Sequence, residues 1–304
     1  MPSLLLLILC LGFGVILRQS ARLPDNAHIV VNGIILNLSL PALTLHYLHD
    51  FRVVAGDLLP VAMPWILFAF GAAVFFAIGR ALRLPRSTVG ALILVGGLGN
   101  TSFVGLPMIE SLYGTSGIPL GLLIDQMGSY LVLSTLGVLT ATCFASETRK
   151  STREICSRIF TFPPFFALVL ALLTSTMVFP AALSESIARM GDTVAPLALL
   201  SVGLQLRLTE LGGRTAALAM GLGYKLLACP ALIFGVLWFS NPSGGMVSQV
   251  SLIESAMPPM MGAGILAIDA ELDPGLVSLM IGLGIPMAFL TAPAWNWLYC
   301  NTFS

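Results

Sequence analysis

The sequence predicts an all-α membrane protein of about ten transmembrane helices, arranged as two inverted five-helix repeats with helices four and nine broken where they cross. Three observations lead there. Of the 304 residues, 57% are hydrophobic and 9% charged, against roughly a quarter charged in a soluble domain. Mainly apolar windows of about 20 residues, the length that crosses a bilayer, fall near 3–18, 29–48, 59–79, 89–111, 117–142, 163–180, 187–206, 215–238, 247–268 and 275–299. The fourth and ninth carry Gly, Pro and polar residues at their middles. Interrupted spans at matching places in two halves point to a substrate site at the bilayer midplane.

Span one has no basic stretch before its apolar run and no small-residue cleavage site after it, so a first membrane span is expected there in preference to a signal peptide. Span two ends in His46, His49 and Asp50, where an interfacial cap is expected in preference to a pH sensor or metal site. Its Asn32 and Asn37 are five apart and face different directions. Span four is interrupted by Gly96-Gly97-Leu98-Gly99-Asn100-Thr101-Ser102-Phe103-Val104-Gly105-Leu106-Pro107, and span five holds Asp125-Gln126. A polar, basic connection over 145–162 then joins a first repeat (1–144) to a second (163–304).

In the second half, Ala195-Pro196-Leu197-Ala198-Leu199 of span seven echoes Leu40-Pro41-Ala42-Leu43 of span two, with the prolines 155 residues apart. Pro107 and Pro258, in the two broken spans, are 151 apart. Span eight carries Lys225, and span nine is broken at Glu254-Ser255-Ala256-Met257-Pro258-Pro259-Met260-Met261-Gly262. Five spans per half make the second repeat enter the membrane from the opposite face.

Short cytoplasmic loops collect Lys and Arg, which tests this topology. The connections after spans one, three, five and seven hold Arg18, Arg22, Arg80, Arg83, Arg86, Arg149, Lys150, Arg153, Arg158, Arg207 and Arg214, whereas the opposite set holds Arg52 and Arg189. Both termini are therefore expected on the non-cytoplasmic side of a multi-pass cell-membrane protein.

Only 14 Lys and Arg balance 14 Asp and Glu, too few for a basic nucleic-acid surface. The five cysteines fall in no CxxC or Cys/His ligand spacing. HExxH, GxSxG and a paired-Asp motif are absent, so an enzyme is not expected.

Unwound backbone survives in hydrocarbon only where protein or a water-filled cavity surrounds it, so both breaks face inward. At 1.5 Å per residue, Asn100 and Pro258 each lie roughly 16 Å along their spans from opposite faces, near the middle of a core about 30 Å thick. The half-helix ends gathered there offer N–H groups to an anion and carbonyls to a cation. Asp125 lies roughly 12 Å and Lys225 roughly 15 Å inside their spans by the same rise, and Glu254 at a depth similar to Asp125. Asp125, Gln126 and Glu254 are the candidates for contact with a coupling ion. Lys225 is open between a structural pair with Asp125 or Glu254 and a functional role, either an anion contact or a mobile countercharge that alternates with a proton or sodium ion.

Gly99-Asn100-Thr101-Ser102-Phe103-Val104-Gly105-Leu106-Pro107, Ala256-Met257-Pro258-Pro259 and Pro196-Leu197-Ala198-Leu199-Leu200-Ser201-Val202-Gly203-Leu204 resemble the auxin efflux carrier family in its prokaryotic form. The resemblance spans essentially the whole chain. It implies two inverted five-helix repeats, each divided between a scaffold and a transport domain, with four and nine as crossing helices. It also implies organic-anion substrates, which in that family include auxin in plants and malate or malonate in bacteria. By the resemblance Asn100, Thr101 and Pro107 would line the substrate site with Pro258 and Pro259; Ser102 and Gly105 of the same break join the substrate-binding candidates, with Lys225 as an added positive charge. Met260-Met261-Gly262-Ala263 replaces an Asn common after the span-nine proline, and Glu254 stands where a neutral residue is common.

The expected function is an elevator-type permease for a small carboxylate, without a cofactor, with H+ or Na+ coupling and a homodimer both left open. The alternative is a cation/proton antiporter of the same layout. That reading needs a carboxylate pair at the crossing, whereas Asp125 and Glu254 are expected to lie shallower than it.

Overall fold

The computed structural model describes residues 2–20, 22–24, 26–51, 58–145, 162–206, 214–240 and 245–303. Among them every regular element is helical. The connection expected over 145–162 falls almost wholly outside the described residues, as do Arg52 and Arg207. In chain order the helices are α1 (Pro2–Gln19), α2 (Ala27–Leu48), α3 (Leu58–Leu82), α4 (Arg86–Gly96), α5 (Leu106–Tyr113), α6 (Thr115–Phe144), α7 (Pro163–Leu173), α8 (Ala181–Gln205), α9 (Thr215–Phe239), α10 (Met246–Ser255), α11 (Met261–Asp269) and α12 (Pro274–Phe303). Among the described residues six helices, α2, α3, α6, α8, α9 and α12, have the length and apolarity to cross a bilayer unbroken. Shorter apolar helices accompany them at Leu5–Gln19, Arg86–Gly96 and Pro163–Leu173.

Two boundaries depart from the sequence reading. The sixth span stops at Leu173, not near 180, because Thr174 turns its hydroxyl back to the Leu170 carbonyl and a Thr-Ser-Thr run follows. The seventh starts earlier, at Ala181, since Pro180 in extended backbone (φ −55°, ψ 139°) is a ready helix entrance.

The chain divides into two compact units. One comprises residues 1–55, 102–122 and 157–206, the other 56–101, 123–156 and 207–304. In the first, α1 and α8 meet through bare backbone: a Cβ on Gly14 would lie 2.8 Å from the Cα of Gly203. Small residues that admit such close approach are a main source of helix association where water supplies no driving force. Polar bridges reinforce it, with Ser201 donating to Oδ1 of Asn32 at 2.5 Å and Thr193 to Oγ of Ser39 at 2.7 Å. Asn37 is exposed and donates back to the Gly33 carbonyl, so the two asparagines of α2 do point apart. At the end of α2, buried His49 stacks on Phe179 and bonds the Met177 carbonyl through Nε2 at 2.8 Å.

In the second unit α3, α4, α9, α10, α11, α12 and most of α6 pack around the two breaks. Tyr224 of α9 fits the space left by Gly71 and donates to the Leu67 carbonyl at 2.5 Å. At one end Asp273 gathers Nε of Arg214 (2.8 Å) and the hydroxyl of Thr88 (2.9 Å), joining the starts of α4, α9 and α12.

Candidate substrate site

The Arg86–Gly96 helix runs on to Gly97, passes through extended backbone at Leu98–Asn100, and becomes helical again from Thr101. The ninth span stops at Ser255 and resumes at Met261. The two gaps lie against each other as a single antiparallel pair, Gly99 opposite Pro259. Asn100 N–H donates to the Pro258 carbonyl at 2.8 Å, and Met260 N–H to the Leu98 carbonyl at 3.0 Å. These two bonds flank Gly99 and Pro259, which makes them a non-hydrogen-bonded pair. Proline, lacking an N–H, is tolerated at such a position because none is needed there. The exchange satisfies four backbone groups that the helix breaks release, which buried backbone requires.

Close approach dictates the glycines. Pro259 rests where a Cβ on Gly284 of α12 would be 2.6 Å from its Cδ. On the other strand a Cβ on Gly99 would be 3.0 Å from Nζ of Lys225. The lysine ammonium thus lies on the crossing. Nζ donates to the carbonyl of Ser255, the last residue of α10, at 3.2 Å, placing a cation at the negative end of a half-helix. No direct ion pair with Glu254, one of the two pairings the sequence leaves open, forms among the described residues.

Asp125 corrects the depth estimate. Its Oδ1 accepts the Thr101 hydroxyl at 2.6 Å, so this carboxylate reaches the crossing and is not shallower. Rise along a helix gives depth only for an upright helix that starts at the bilayer face. Thr115–Phe144 has 30 residues, or about 45 Å of helix against a core of about 30 Å, so the count from its start misplaces its residues. Glu254 is also at this level, one residue before the Ser255 carbonyl that Lys225 holds. Its carboxylate is within Coulombic reach of both Lys225 and Asp125. Asn100, Thr101, Asp125, Gln126, Lys225 and Glu254 are all buried, and all belong to one unit with Pro258 and Pro259.

Ser102, Gly105 and Pro107 are assigned to the other unit. Ser102 and Gly105 are in the wide π turn Thr101–Gly105, and Pro107 is at the start of α5, past the break. There Pro107 lines a small cavity with Leu43, Tyr47, Glu110 and Asp192.

The sequence reading missed two features. Asp125 and Gln126 lie on a π turn, Ile124–Ser129, and Lys225 on another, Tyr224–Ala228; such turns are frequent at functional sites. The Ser255 carbonyl is the other, a backbone ligand that side-chain identity does not announce.

Apolar helices of membrane-spanning length, two of them interrupted and joined at their gaps around buried charges, define a multi-pass membrane transporter. Residues 2–296 match the family described as membrane transport protein. The chain belongs to that family, the auxin efflux carriers whose motifs it resembles, and its class is transporter and not enzyme. It is 25% identical to an uncharacterized transporter of Methanothermobacter thermautotrophicus, over 97% of this chain and 95% of that one. It is 24% identical to the uncharacterized transporter MJ1031 of Methanocaldococcus jannaschii, over 95% and 93% respectively.

Proposed function

We propose that the protein is a secondary transporter of a small organic anion, a carboxylate, bound at the crossed breaks. Ten spans in two inverted five-helix repeats, in the cell membrane with both termini outside the cytoplasm, are part of this reading. Its support is that helix occupies at least part of each predicted window and that the two gaps pair antiparallel. The two compact units, each drawing helices from both halves of the chain, are what an elevator mechanism needs: one group of helices to move and one to stay.

The observation that carries the substrate class is Lys225, a buried ammonium held at the crossing beside Gly99. Next to it, helix resumes at Thr101 and Met261, and free N–H groups at helix starts favour an anion. Binding of malonate, malate and indole-3-acetate to purified protein, repeated with Asn100→Ala and Lys225→Ala, tests the assignment. Each substitution is expected to weaken the bound carboxylate at least about tenfold, near 1.4 kcal/mol. The site is misassigned if neither does.

One observation favours a second reading. Asp125 and Glu254 both reach the crossing, as a cation/proton antiporter requires. Sodium-evoked proton release from proteoliposomes without organic anion would select that reading over ours.

A further inference from the structure

We propose that Glu254 is the proton-carrying group of the transport cycle, accepting one proton when the carboxylate substrate enters the crossing and releasing it on the opposite side of the membrane. This rests on the carboxylate reading above.

Lys225 brings one positive charge, Asp125 and Glu254 two negative ones, and all three side chains are at least 98% buried. Asp125 accepts the Thr101 hydroxyl, and Lys225 donates to the Ser255 carbonyl. Glu254 differs: neither of its carboxylate oxygens has a hydrogen-bond partner among the described residues. A buried carboxylate left ionised without partners is among the most expensive arrangements a protein can hold, and the last turn of a helix, where Glu254 is placed, repels negative charge further. A proton on Glu254 removes both penalties. It also brings the three groups to net zero, which leaves Lys225 able to receive an anion without two carboxylates opposing it. Two carboxylates in contrasting environments, one hydrogen-bonded and one bare, are an arrangement that divides roles between them.

Among the described residues few titratable groups belong to the helices packed on α10, and Tyr224 of α9 is committed to the Leu67 carbonyl. Lys225 and Asp125 face it, and Cys229 is a thiol beside Lys225. Of the helices packed on α10, α3 has its ionisable residue, Arg80, in its last turn. In α12, Tyr299 meets the far end of α10 at Gly245, and Cys300 follows it.

The chemistry is a proton transfer. Water on one side gives up a proton to the Glu254 carboxylate, the acid crosses with the bound anion, and the O–H bond breaks to water on the other side. Proteoliposomes are loaded with malonate, malate or indole-3-acetate, with the membrane potential clamped. A gradient of one pH unit is expected to accumulate the transported anion about tenfold, the equivalent of one coupled proton. Glu254→Gln, which keeps shape and removes the proton site, should retain anion counterflow but lose that accumulation. Infrared difference spectra of the same two proteins form an independent arm, in which the carbonyl band of a protonated carboxylic acid titrates in the unaltered protein and is missing from Glu254→Gln.

Counterflow that ignores the pH gradient, or accumulation unchanged in Glu254→Gln, overturns the proposal. If the unaltered protein moves none of the three anions, the carboxylate reading fails. In that case the infrared band decides for Glu254 separately: a titrating band lost in Glu254→Gln sustains the proton site, and its absence ends it.

Discussion

The hydrogen bond from Thr101 to Asp125 can be tested as an energy. Thr101→Val removes the hydroxyl at nearly constant volume, Asp125→Asn removes the charge, and the double variant closes a thermodynamic cycle. Two magnitudes compete. Hydrogen bonds between helices in membranes average about 0.6 kcal/mol in such cycles, whereas bonds to a charged group contribute roughly 1.5–3 kcal/mol. The Oγ1–Oδ1 separation of 2.6 Å falls in the range of about 2.5–2.7 Å typical of a hydroxyl on an ionised carboxylate. The expected coupling is therefore about 2 kcal/mol, close to thirtyfold in the unfolding constant. Reversible unfolding in mixed micelles titrated with dodecyl sulfate measures it, with Thr101→Ser as the variant that keeps the hydroxyl. A coupling at or below about 0.6 kcal/mol would refute a charged Asp125 held by Thr101. It would also remove the contrast with Glu254 on which the division of roles depends.

Three further outcomes follow from local geometry. A Cβ on Gly203 would be 2.3 Å from the Leu11 carbonyl oxygen and 2.8 Å from the Cα of Gly14; backbone cannot step aside, so Gly203→Ala should destabilise by about 3 kcal/mol in the same unfolding titration. The tight neighbours of Gly99 are instead Nζ and Cε at the tip of Lys225, which can swing away. Gly99→Ala should change stability by no more than about 1 kcal/mol while weakening carboxylate binding as much as Lys225→Ala, read by thermal melts beside binding isotherms. Burial pushes the Asp273 carboxyl up, but hydrogen bonds from Arg214, Thr88 and the Leu276 N–H outweigh it and hold the group below the ordinary carboxylate range. Its contribution is thus complete above an unfolded value of about 3.9 and lost as pH falls through the lower folded one. Asp273→Asn should cost about 1 kcal/mol at neutral pH, since Arg214 is partly exposed, and should flatten the loss of stability below about pH 4.

Much of this architecture was legible because hydrocarbon penalises whatever departs from a plain apolar helix. Gly99-Asn100 and Pro258-Pro259 stand out in their spans since each frees backbone groups that only an inward, paired position can satisfy, and the two gaps do satisfy one another. Lys225 was legible for the same reason. What escaped the sequence is what has no composition. A π turn such as Ile124–Ser129 is a slip of one residue in a hydrogen-bond ladder and uses no special amino acid. The level of Asp125 depends on how a 30-residue helix sits against a broken one, which no count along its own axis contains. The end of the sixth span at Leu173 was obscured because Met177, Val178 and Phe179 are as apolar as the helix before them.

The level of Asp125 sets the chemical problem posed by the crossing. With both carboxylates shallow, Asn100 and Lys225 would have faced an anion alone, and coupling would have needed a relay to distant groups. With Asp125 and Glu254 at the crossing, the anion and the proton share one site, so the presence of each sets the affinity for the other by reciprocal linkage. A site with one ammonium and two carboxylates is inhospitable to a further negative charge unless one carboxylate is neutral. Anion binding and proton uptake then become a single event at Glu254. The same residues would serve a cation if the anion never came, which is why a proton signal in the absence of organic anion is the measurement that most sharply divides the two readings.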